Sequence, residues 1–282
     1  MTPDELNVLL DSLLRHSNYM RGLDPRLEQE VGDLLQHPDP GVVNAAATTL
    51  GVIGSESQLH RLLALLSHPL ESHRAAAAAA LAGYARCDDR RESARRALFP
   101  LLDDPATPVR LLALQSLGSL GIDGAEDRVV EFLSHELAPF RRLAADLAGR
   151  HLLRDAIAPL QRLLADELEE IRVAACSALI LLGVSDVLDD AQRLLRSPAP
   201  TVRIPILRAI QFGRATWASD ELIDHLRDTN QTVRDHALQG VRVLKVRKAL
   251  PLLRALLRNH PELFPPADLE RAIAAIEGRI AP

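Results

Sequence analysis

Ten histidines make a metal site the first chemistry to test in this chain of 282 residues. Three of them, His37, His68 and His135, occupy the same place in a repeating pattern, five residues before a recurring position. Equivalent places in stacked repeats lie about 10 Å apart, which is too far for one shared ion. Asp or Ser fills this place elsewhere, and such side chains cap the free N–H groups of a helix. We therefore expect helix capping there and predict no metal site.

Nucleophilic or phosphate chemistry would need a recognisable motif, and the sequence contains none. There is no Gly-Xaa-Ser-Xaa-Gly elbow, no glycine-rich phosphate loop and no Cys-Xaa-Xaa-Cys pair. Cys176 falls within a helical pattern, where packing is the expected role. Because Cys87 and Cys176 are far apart and belong to no motif, they indicate a reducing compartment, and we expect a cytoplasmic protein. We predict no catalytic residue and no cofactor.

The composition narrows the classes of partner. The chain is 47% hydrophobic and 25% charged, as in soluble globular proteins, and its longest uncharged run, residues 40–55, is too short to span a membrane. A net charge of −5 and only 3% aromatic residues argue against nucleic acid as a partner. Residues 236–261 oppose this trend, because they contain no acid. A solvated surface is the ordinary interpretation of this basic run, and an anionic partner is the alternative. Its cations are Arg242, Lys245, Arg247, Lys248, Arg254 and Arg258.

An internal repeat of constant length must position these side chains. An apolar residue followed by Arg, here called the anchor pair, recurs at equal steps in five successive copies. The apolar residue stands at positions 109, 140, 171, 202 and 233. Counting backwards, the same place falls on His73-Arg74 and on Val42-Val43, with a five-residue insertion within residues 85–96. The chain therefore holds seven copies. The five regular anchor pairs are Val109-Arg110, Phe140-Arg141, Ile171-Arg172, Val202-Arg203 and Val233-Arg234.

Each copy has the pattern of two helices. In the third copy, residues 108–120 place apolar side chains on one helical face, and Gly121 ends the helix. We call the helix that begins at the anchor pair the anchor helix and the next one the linking helix. Because one helix pair cannot cover its own apolar face, neighbouring copies must stack. The sequence predicts an all-α protein, an α-solenoid of about seven two-helix repeats at residues 24–258. An N-terminal capping helix and loop are predicted at residues 1–23, and a C-terminal capping helix at residues 259–282.

The third copy resembles a short HEAT repeat of the type found in phycobilisome lyases. The residues that carry the resemblance are 104–110, with the sequence Asp-Pro-Ala-Thr-Pro-Val-Arg, and 117–121, with the sequence Leu-Gly-Ser-Leu-Gly. It extends over about residues 24–257, nearly the whole chain. The resemblance is specific for the fold. It leaves the function open, because proteins with this repeat include scaffolds, regulatory subunits, bilin lyases, a hydroxylase and DNA-repair enzymes.

Two enzymatic branches of that family do not fit the sequence. The hydroxylase branch holds two irons with several His-Glu pairs, and this chain has only His135-Glu136. The DNA-repair branch would need aromatic and acidic residues around an extruded base, and the chain has a single tryptophan, Trp217. An enzyme of either kind is not expected.

The resemblance also implies a structural role for the Arg of the anchor pair. In HEAT-like stacks this Arg bonds the loop Asp of a neighbouring copy, or backbone carbonyls where Asp is absent. Such a ladder fixes the geometry between repeats. Its expected members are Asp104, Arg110, Arg141, Asp166, Arg172, Arg203, Asp228 and Arg234.

The concave side of such solenoids is lined by the anchor helices. Counting the apolar residue of the anchor pair as one, we expect positions three, seven and ten of each anchor helix to point outwards. Apolar residues at some of these positions, bordered by Arg, resemble a peptide-binding groove, whereas curvature or a cap would instead hide them. The predicted partner-binding residues are Leu111, Gln115, Arg142, Asp146, Val173, Ser177, Ile180, Ile204, Arg208, Gln211, Asp235, Gln239 and Arg242.

The sequence therefore predicts a non-enzymatic scaffold or adaptor that binds a protein partner, either a peptide or a folded domain, on its concave face. Two alternatives stay open. One is a lyase-like or chaperone-like accessory that handles a prosthetic group on a client protein. The other is a binder of an anionic ligand or nucleic acid through the basic run. Pro205, four residues into an anchor helix, is expected to distort that helix or to mark a late start.

Overall fold

The computed structural model describes residues 25–53, 55–260 and 262–278. Within these ranges every regular element is a helix and no strand occurs, which confirms the all-α prediction. The predicted N-terminal capping helix and loop, residues 1–23, lie outside the described residues. The chain forms two compact units, one ending at Asp127 and the other beginning at Arg128.

The first unit contains anchor helices that alternate with linking helices. Its helices are α1 (Pro25–Asp33), α2 (Pro40–Ile53), α3 (Glu56–Leu65), α4 (Glu71–Leu81), α5 (Asp88–Leu98) and α6 (Thr107–Leu120). The anchor helices are α2, α4 and α6. The division between the units falls within α7 (Glu126–Phe132).

The second unit continues the alternation. Its helices are α8 (Ala138–Arg150), α9 (Ile157–Leu163), α10 (Glu169–Leu181), α11 (Leu188–Leu195), α12 (Pro200–Phe212), α13 (Ser219–Asp224), α14 (Gln231–Val243), α15 (Leu250–Asn259) and α16 (Pro266–Glu277). The anchor helices are α8, α10, α12 and α14. All four begin within two residues of the predicted anchor pair, so the repeat places the helices correctly.

Within each unit, successive anchor helices pack side by side. In the first unit α2 packs on α4 and α4 on α6, and in the second α8, α10, α12 and α14 pack in series. Small residues allow close contact: a Cβ added to Gly51 would lie 2.3 Å from the Ala80 carbonyl oxygen. Since the backbones of α2 and α4 touch there, any side chain at Gly51 would force them apart.

The second unit shows which way its anchor helices run. A Cβ added to Gly149, at the end of α8, would lie 2.7 Å from the Cα of Ala178 in the last turns of α10. One added to Gly213, just after α12, would lie 2.7 Å from the carbonyl oxygen of Ile180 in α10. The carboxyl-terminal parts of α8, α10 and α12 therefore meet, and the three helices run in the same direction.

The irregular features have simple local causes. In the copy that carries the five-residue insertion, a tight helical turn, Ala82–Arg86, continues from α4 and precedes α5. There Tyr84 is fully buried and its hydroxyl donates to the Ser55 carbonyl at 3.0 Å. Pro205 lies inside α12, which runs from Pro200 to Phe212, so the late helix start is wrong.

The last helix lies where a further anchor helix would be expected. α16 packs on α14 and α15. Phe264, just before α16 and one repeat period after Val233, is buried, and the Arg234 guanidinium lies 5.9 Å from its ring centre. α16 therefore covers the apolar face that α14 would otherwise expose.

Candidate functional site

A groove of about 1390 Å³ runs over the anchor helices of the second unit. Its walls and floor come from α8, α10 and α12, which lie side by side and run in the same direction. It is lined by Pro139, Arg142, Asp146, Gly149, Arg150, Leu152, Leu168, Glu169, Glu170, Val173, Ala174, Ser177, Leu181, Thr201, Val202, Pro205, Arg208, Ala209 and Phe212.

The groove-facing positions form one helical stripe that recurs in all three helices. Counted from the anchor pair, positions zero, seven and eleven of each helix line the groove. These spacings return to the same helical face after two and three turns. Position seven was predicted, whereas positions zero and eleven were missed. The residues at position eleven are Arg150, Leu181 and Phe212.

The expectation that position ten points outwards is wrong for α8, α10 and α12, whereas at position three Arg142 and Asp235 are exposed as expected and only Val173 is buried. Ile180 is completely buried, Gln211 is 4% exposed and Val173 is 7% exposed. The physical reason is packing: α10 is flanked by α8 and α12 and also carries linking helices, so only a narrow stripe of it faces the groove. Ile180 in particular faces the close contact with α12.

The remaining predicted partner-binding residues fall into three groups. Arg142, Asp146, Val173, Ser177 and Arg208 line the groove. Ile204 is half-buried and Asp235, Gln239 and Arg242 are exposed on α14, but none of these four lines the groove. Leu111 and Gln115 belong to α6 in the first unit, where Leu111 is half-buried and Gln115 is exposed.

Exposed apolar side chains gather in the groove. Leu152 is 59% exposed and Phe212 is 63% exposed, and Leu181 is half-buried at the same end of the groove. Leu168, which is 37% exposed, precedes α10 at the other end. Sequence reasoning missed all four, because Leu152 and Leu168 lie just outside the helices and position eleven was not considered. A Phe at the end of an amphipathic helix, four residues after an exposed Arg, is the signal that could have found the site.

Leu152 has an unusual backbone for its residue type. Its φ of 56° lies in the left-handed region, just after α8 ends. The equivalent place after α10 is Gly183, with φ of 80°, and glycine adopts this conformation without steric cost. A left-handed leucine is strained by about 1 kcal/mol or more. Arg214 and Lys245 have the same left-handed φ at the equivalent places after α12 and α14, so this conformation ends every anchor helix of the second unit.

The charges of the groove are separated along its length. At the end where the three helices begin, called here the amino-terminal rim, lie Glu169 and Glu170. At the end where they finish, called here the carboxyl-terminal rim, lie Arg150, Leu152, Leu181 and Phe212. Arg208, one turn before Phe212, places its guanidinium 5.9 Å from the Phe212 ring centre. The groove therefore has two acids at one end and two bases towards the other, with the Arg142–Asp146 pair between them.

Asp146 is the titratable group most affected by the groove. Partial burial raises the pKa of Asp146 above its ordinary value, although Arg142 and Arg150 act in the opposite direction. Arg142 Nη1 lies 3.6 Å from Asp146 Oδ2, one turn away on α8. Asp146 therefore neutralises part of the positive charge in the middle of the groove.

The histidines that invited a metal site stabilise the turns ahead of anchor helices instead. Nδ1 of His37, His68 and His135 accepts the backbone N–H of the residue two places later, at 3.0–3.2 Å. Asp104 Oδ1 does the same for the Ala106 N–H at 2.9 Å, and Ser197 Oγ for the Ala199 N–H at 3.4 Å. A backbone-bonding role in the turn before the helix, as expected for this place, is confirmed, although the N–H belongs to the residue ahead of the helix and not to its first turn. Among the described residues, no cluster of His, Cys, Asp or Glu could hold a metal ion.

The Arg of the anchor pair links one copy to the next where the next copy offers an Asp. Arg141 donates to both carboxylate oxygens of Asp166, at 2.9 and 3.3 Å, and Arg203 donates to Asp228 at 2.9 Å. Arg74, which the sequence prediction left out, makes the same bidentate contact with Asp104. In addition, Nη1 of each Arg donates to carbonyls of its own turn. Arg110, Arg172 and Arg234 donate in this way to the backbone carbonyl oxygens of Asp104, Asp166 and Asp228, respectively.

Comparison with known proteins places these features in a family. A family model described as HEAT repeats matches residues 14–82 and 59–145. Residues 14–145 therefore consist of HEAT repeats, and the anchor pair continues at the same period as far as Arg234. A search of curated protein sequences finds no match.

Solved structures share the HEAT-like fold over nearly the whole chain. The YibA protein of Escherichia coli is 18% identical, with 98% of each chain covered and a TM-score of 0.62. The complex of CpcE and CpcF of phycocyanin lyase from a Nostoc species is 19% identical, covering 93% of this chain and 97% of that one, with a TM-score of 0.59. An engineered protein is 16% identical, with 96% and 85% covered and a TM-score of 0.57. At these identities the likeness shows the fold alone.

Two further sites considered from the sequence are less favourable in the HEAT-repeat structure. In the basic run, Lys248 lies 3.2 Å from Asp220 and Arg254 pairs with Glu277, so acids neutralise part of it. Lys245, Arg247 and Arg258 are exposed.

Cys176 is fully buried, and burial raises the pKa of its thiol to about 12, as its predicted packing role requires. Among the described residues, no helix is long and apolar enough to cross a membrane.

Proposed function

We propose that this HEAT-repeat protein is a non-enzymatic scaffold or adaptor that binds a protein partner in the groove of α8, α10 and α12. The observation that carries the proposal is the gathering of Leu152, Leu168 and Phe212, all exposed, in one groove. Large exposed apolar side chains that cluster in a concavity mark interaction sites more often than scattered ones do. HEAT repeats as a class serve protein interaction, which agrees with this role.

The groove has the composition of a protein interface. Phe212 and the leucines offer apolar surface whose burial drives association, and aromatic and Arg residues are the side chains that most often dominate binding energy. Arg142, Arg150 and Arg208 lie beside them and would orient a partner and exclude wrong ones.

The polar groups of the groove do not form a catalytic set. A serine nucleophile needs a general base at hydrogen-bond distance, and Ser177 Oγ has no hydrogen-bond partner. Asp146 pairs with Arg142 rather than with a group that it could activate. These contacts favour binding over catalysis.

The proposal is tested with a photo-crosslinking side chain placed at position 212. The matched control carries it at position 52, since Val52 occupies the same repeat position in α2, is 50% exposed and does not line the groove. We expect a client that crosslinks from position 212 only and that, once purified, binds the wild-type chain directly. Equal crosslinking from both positions, or a purified client that does not bind, would contradict the proposal.

A lyase-like accessory is the second candidate, favoured by the size of the groove. Its volume of about 1390 Å³ exceeds the roughly 300–1,000 Å³ of ordinary small-ligand pockets. A prosthetic group together with part of a client would fit such a space. Visible absorbance of the protein purified from its native source would support this candidate, and a colourless protein that binds its client would count against it.

A further inference from the structure

The charge separation of the groove carries information about its occupant. Glu169 and Glu170 lie at the amino-terminal rim, in the first turn of α10. Arg150, in the last turn of α8, and Arg208, in the last two turns of α12, lie towards the other end. All four of these charged side chains are exposed. A partner that matches both ends must carry bases at one end and acids at the other, about one helix length apart.

The direction of the three helices adds to this pattern. Because α8, α10 and α12 run the same way, their carboxyl-terminal dipole ends lie together at the carboxyl-terminal rim. A helix that placed its own amino terminus there would run antiparallel to α10 and would have favourable dipole interactions. The acids that stabilise the first turn of a helix would then face Arg150 and Arg208.

The floor of the groove favours a helical segment over an extended one. It is built from side chains of helices whose interior backbone groups bond within each helix, apart from the Thr201 carbonyl, which receives no N–H from Pro205. The floor therefore offers no continuous backbone edge to a strand. An extended peptide would leave its own N–H and C=O groups unpaired against Leu152 and Phe212, whereas a helix satisfies its own. α10 has 13 residues, which corresponds to a length of about 20 Å. A partner helix of similar length would span the groove.

Building on the proposed function, we propose that the groove binds an amphipathic α-helix of the client, antiparallel to α10. Its first turns carry acids that face Arg150 and Arg208, and its last turn carries bases that face Glu169 and Glu170. Its apolar stripe packs on Leu152, Leu181 and Phe212. The recognised feature is thus an order of charges along a helix, acids before bases, in addition to apolar surface.

Two synthetic peptides test this proposal on the full-length chain, each of about 16 residues so that as a helix it spans the groove with one turn to spare. Both have blocked termini, the same composition, the same Leu and Phe stripe and a hydrocarbon staple on the opposite face that gives them equal helicity. One places Asp and Glu in its first turns and Lys and Arg in its last turns, and the other reverses this order. We expect the acid-first peptide to bind about tenfold more tightly in low salt.

A charge-reversed protein distinguishes recognition of the peptide's orientation from non-specific binding of the peptide. It carries Arg150→Glu, Arg208→Glu, Glu169→Arg and Glu170→Arg, with folding checked by circular dichroism. We expect it to prefer the base-first peptide. Equal binding of the two peptides by the wild type, or an unchanged preference in this variant, would overturn the proposed orientation.

The peptide experiment and the client-binding experiment can fail independently, so failure of the helical proposal is distinguishable from failure of the proposed function. If the purified client binds through position 212 but neither peptide binds, the helical occupant is wrong and the proposed function stands. If the client itself fails to bind, the proposed function is wrong whatever the peptides do.

Discussion

Single residues decide the properties of the groove, and Leu152 is the clearest case. Its left-handed backbone places a leucine where the next copy has Gly183. We predict that Leu152→Gly raises the free energy of unfolding by up to about 1 kcal/mol, because the strain is relieved and little packing is lost. The same variant should bind the client more weakly. Urea unfolding and calorimetric titration measure the two effects, and a loss of stability would show that Leu152 serves packing instead.

His73 makes the stability of the folded chain depend on pH. It occupies the anchor place that Val, Ile or Phe fills in the other copies, is buried, and stacks on His68 with 4.0 Å between ring centres. Burial lowers the pKa of His73 below its ordinary value of 6.5, and His68 adds to the effect. The unfolded chain therefore binds more protons near this residue than the folded chain does. Stability from His73 is complete above about pH 6.5 and is lost as the pH falls below that value.

The variant His73→Val tests this dependence. Valine has no proton to bind and restores the apolar anchor found in most copies, so we predict a smaller fall in the urea midpoint between pH 7.5 and pH 5.5 than in the wild type. His60→Val, at an exposed histidine of α3, is the control and should keep the wild-type fall. An identical fall in all three proteins would show that His73 does not titrate in this range.

Between elements, the Arg–Asp contacts hold one repeat on the next. The side chains of Arg141 and Asp166 are both largely buried. Burial raises the pKa of Asp166, but hydrogen bonds from Arg141 and from the Leu168 N–H outweigh this, and the pKa lies below its ordinary value. Removing Arg141 would leave a buried carboxylate without its partner.

We therefore predict that Arg141→Ala lowers the free energy of unfolding by about 3–5 kcal/mol. Arg142→Ala, at the exposed neighbour, should change it by less than about 0.5 kcal/mol. Chemical denaturation of both variants provides the comparison. Similar values for the two would mean that the ladder contributes little to stability.

Pro205 is a second feature at the scale of an element. It lies inside α12 and lines the groove, and it has no N–H to donate to the Thr201 carbonyl. We predict that Pro205→Ala stabilises the chain by about 1–3 kcal/mol, since the missing hydrogen bond can form and the ring no longer crowds the preceding turn. A thermal melt measures the change, and a lower melting temperature would instead assign Pro205 a packing role.

The sequence was a good guide to the elements and a weaker one to the site. The constant period of the anchor pair located the anchor helices, because periodicity depends only on local sequence. The exposed stripe depends on how many neighbours an anchor helix has. Ile180 is apolar at a position that a single helix would expose, and the packing of neighbouring helices on α10 leaves it fully buried. Leu152 was missed because its left-handed backbone cannot be read from its residue type.

At the scale of the whole molecule, the repeats produce two compact units, and the candidate site lies in the second. The groove exists because three anchor helices run in the same direction and present positions zero, seven and eleven to one side. Position eleven carries Phe212 in α12 and Val52 in α2, and both are exposed. These two residues allow the site to be tested against an equivalent position outside it.

The most direct test of the central claim is the affinity of the purified client for Phe212→Asp and Val52→Asp. Each variant places one charge at position eleven of an anchor helix, on side chains that are 63% and 50% exposed. A groove that binds the client through apolar contact predicts at least a tenfold loss of affinity for Phe212→Asp, and wild-type affinity for Val52→Asp. Unchanged binding of Phe212→Asp, measured by calorimetry on folded protein, would contradict the account.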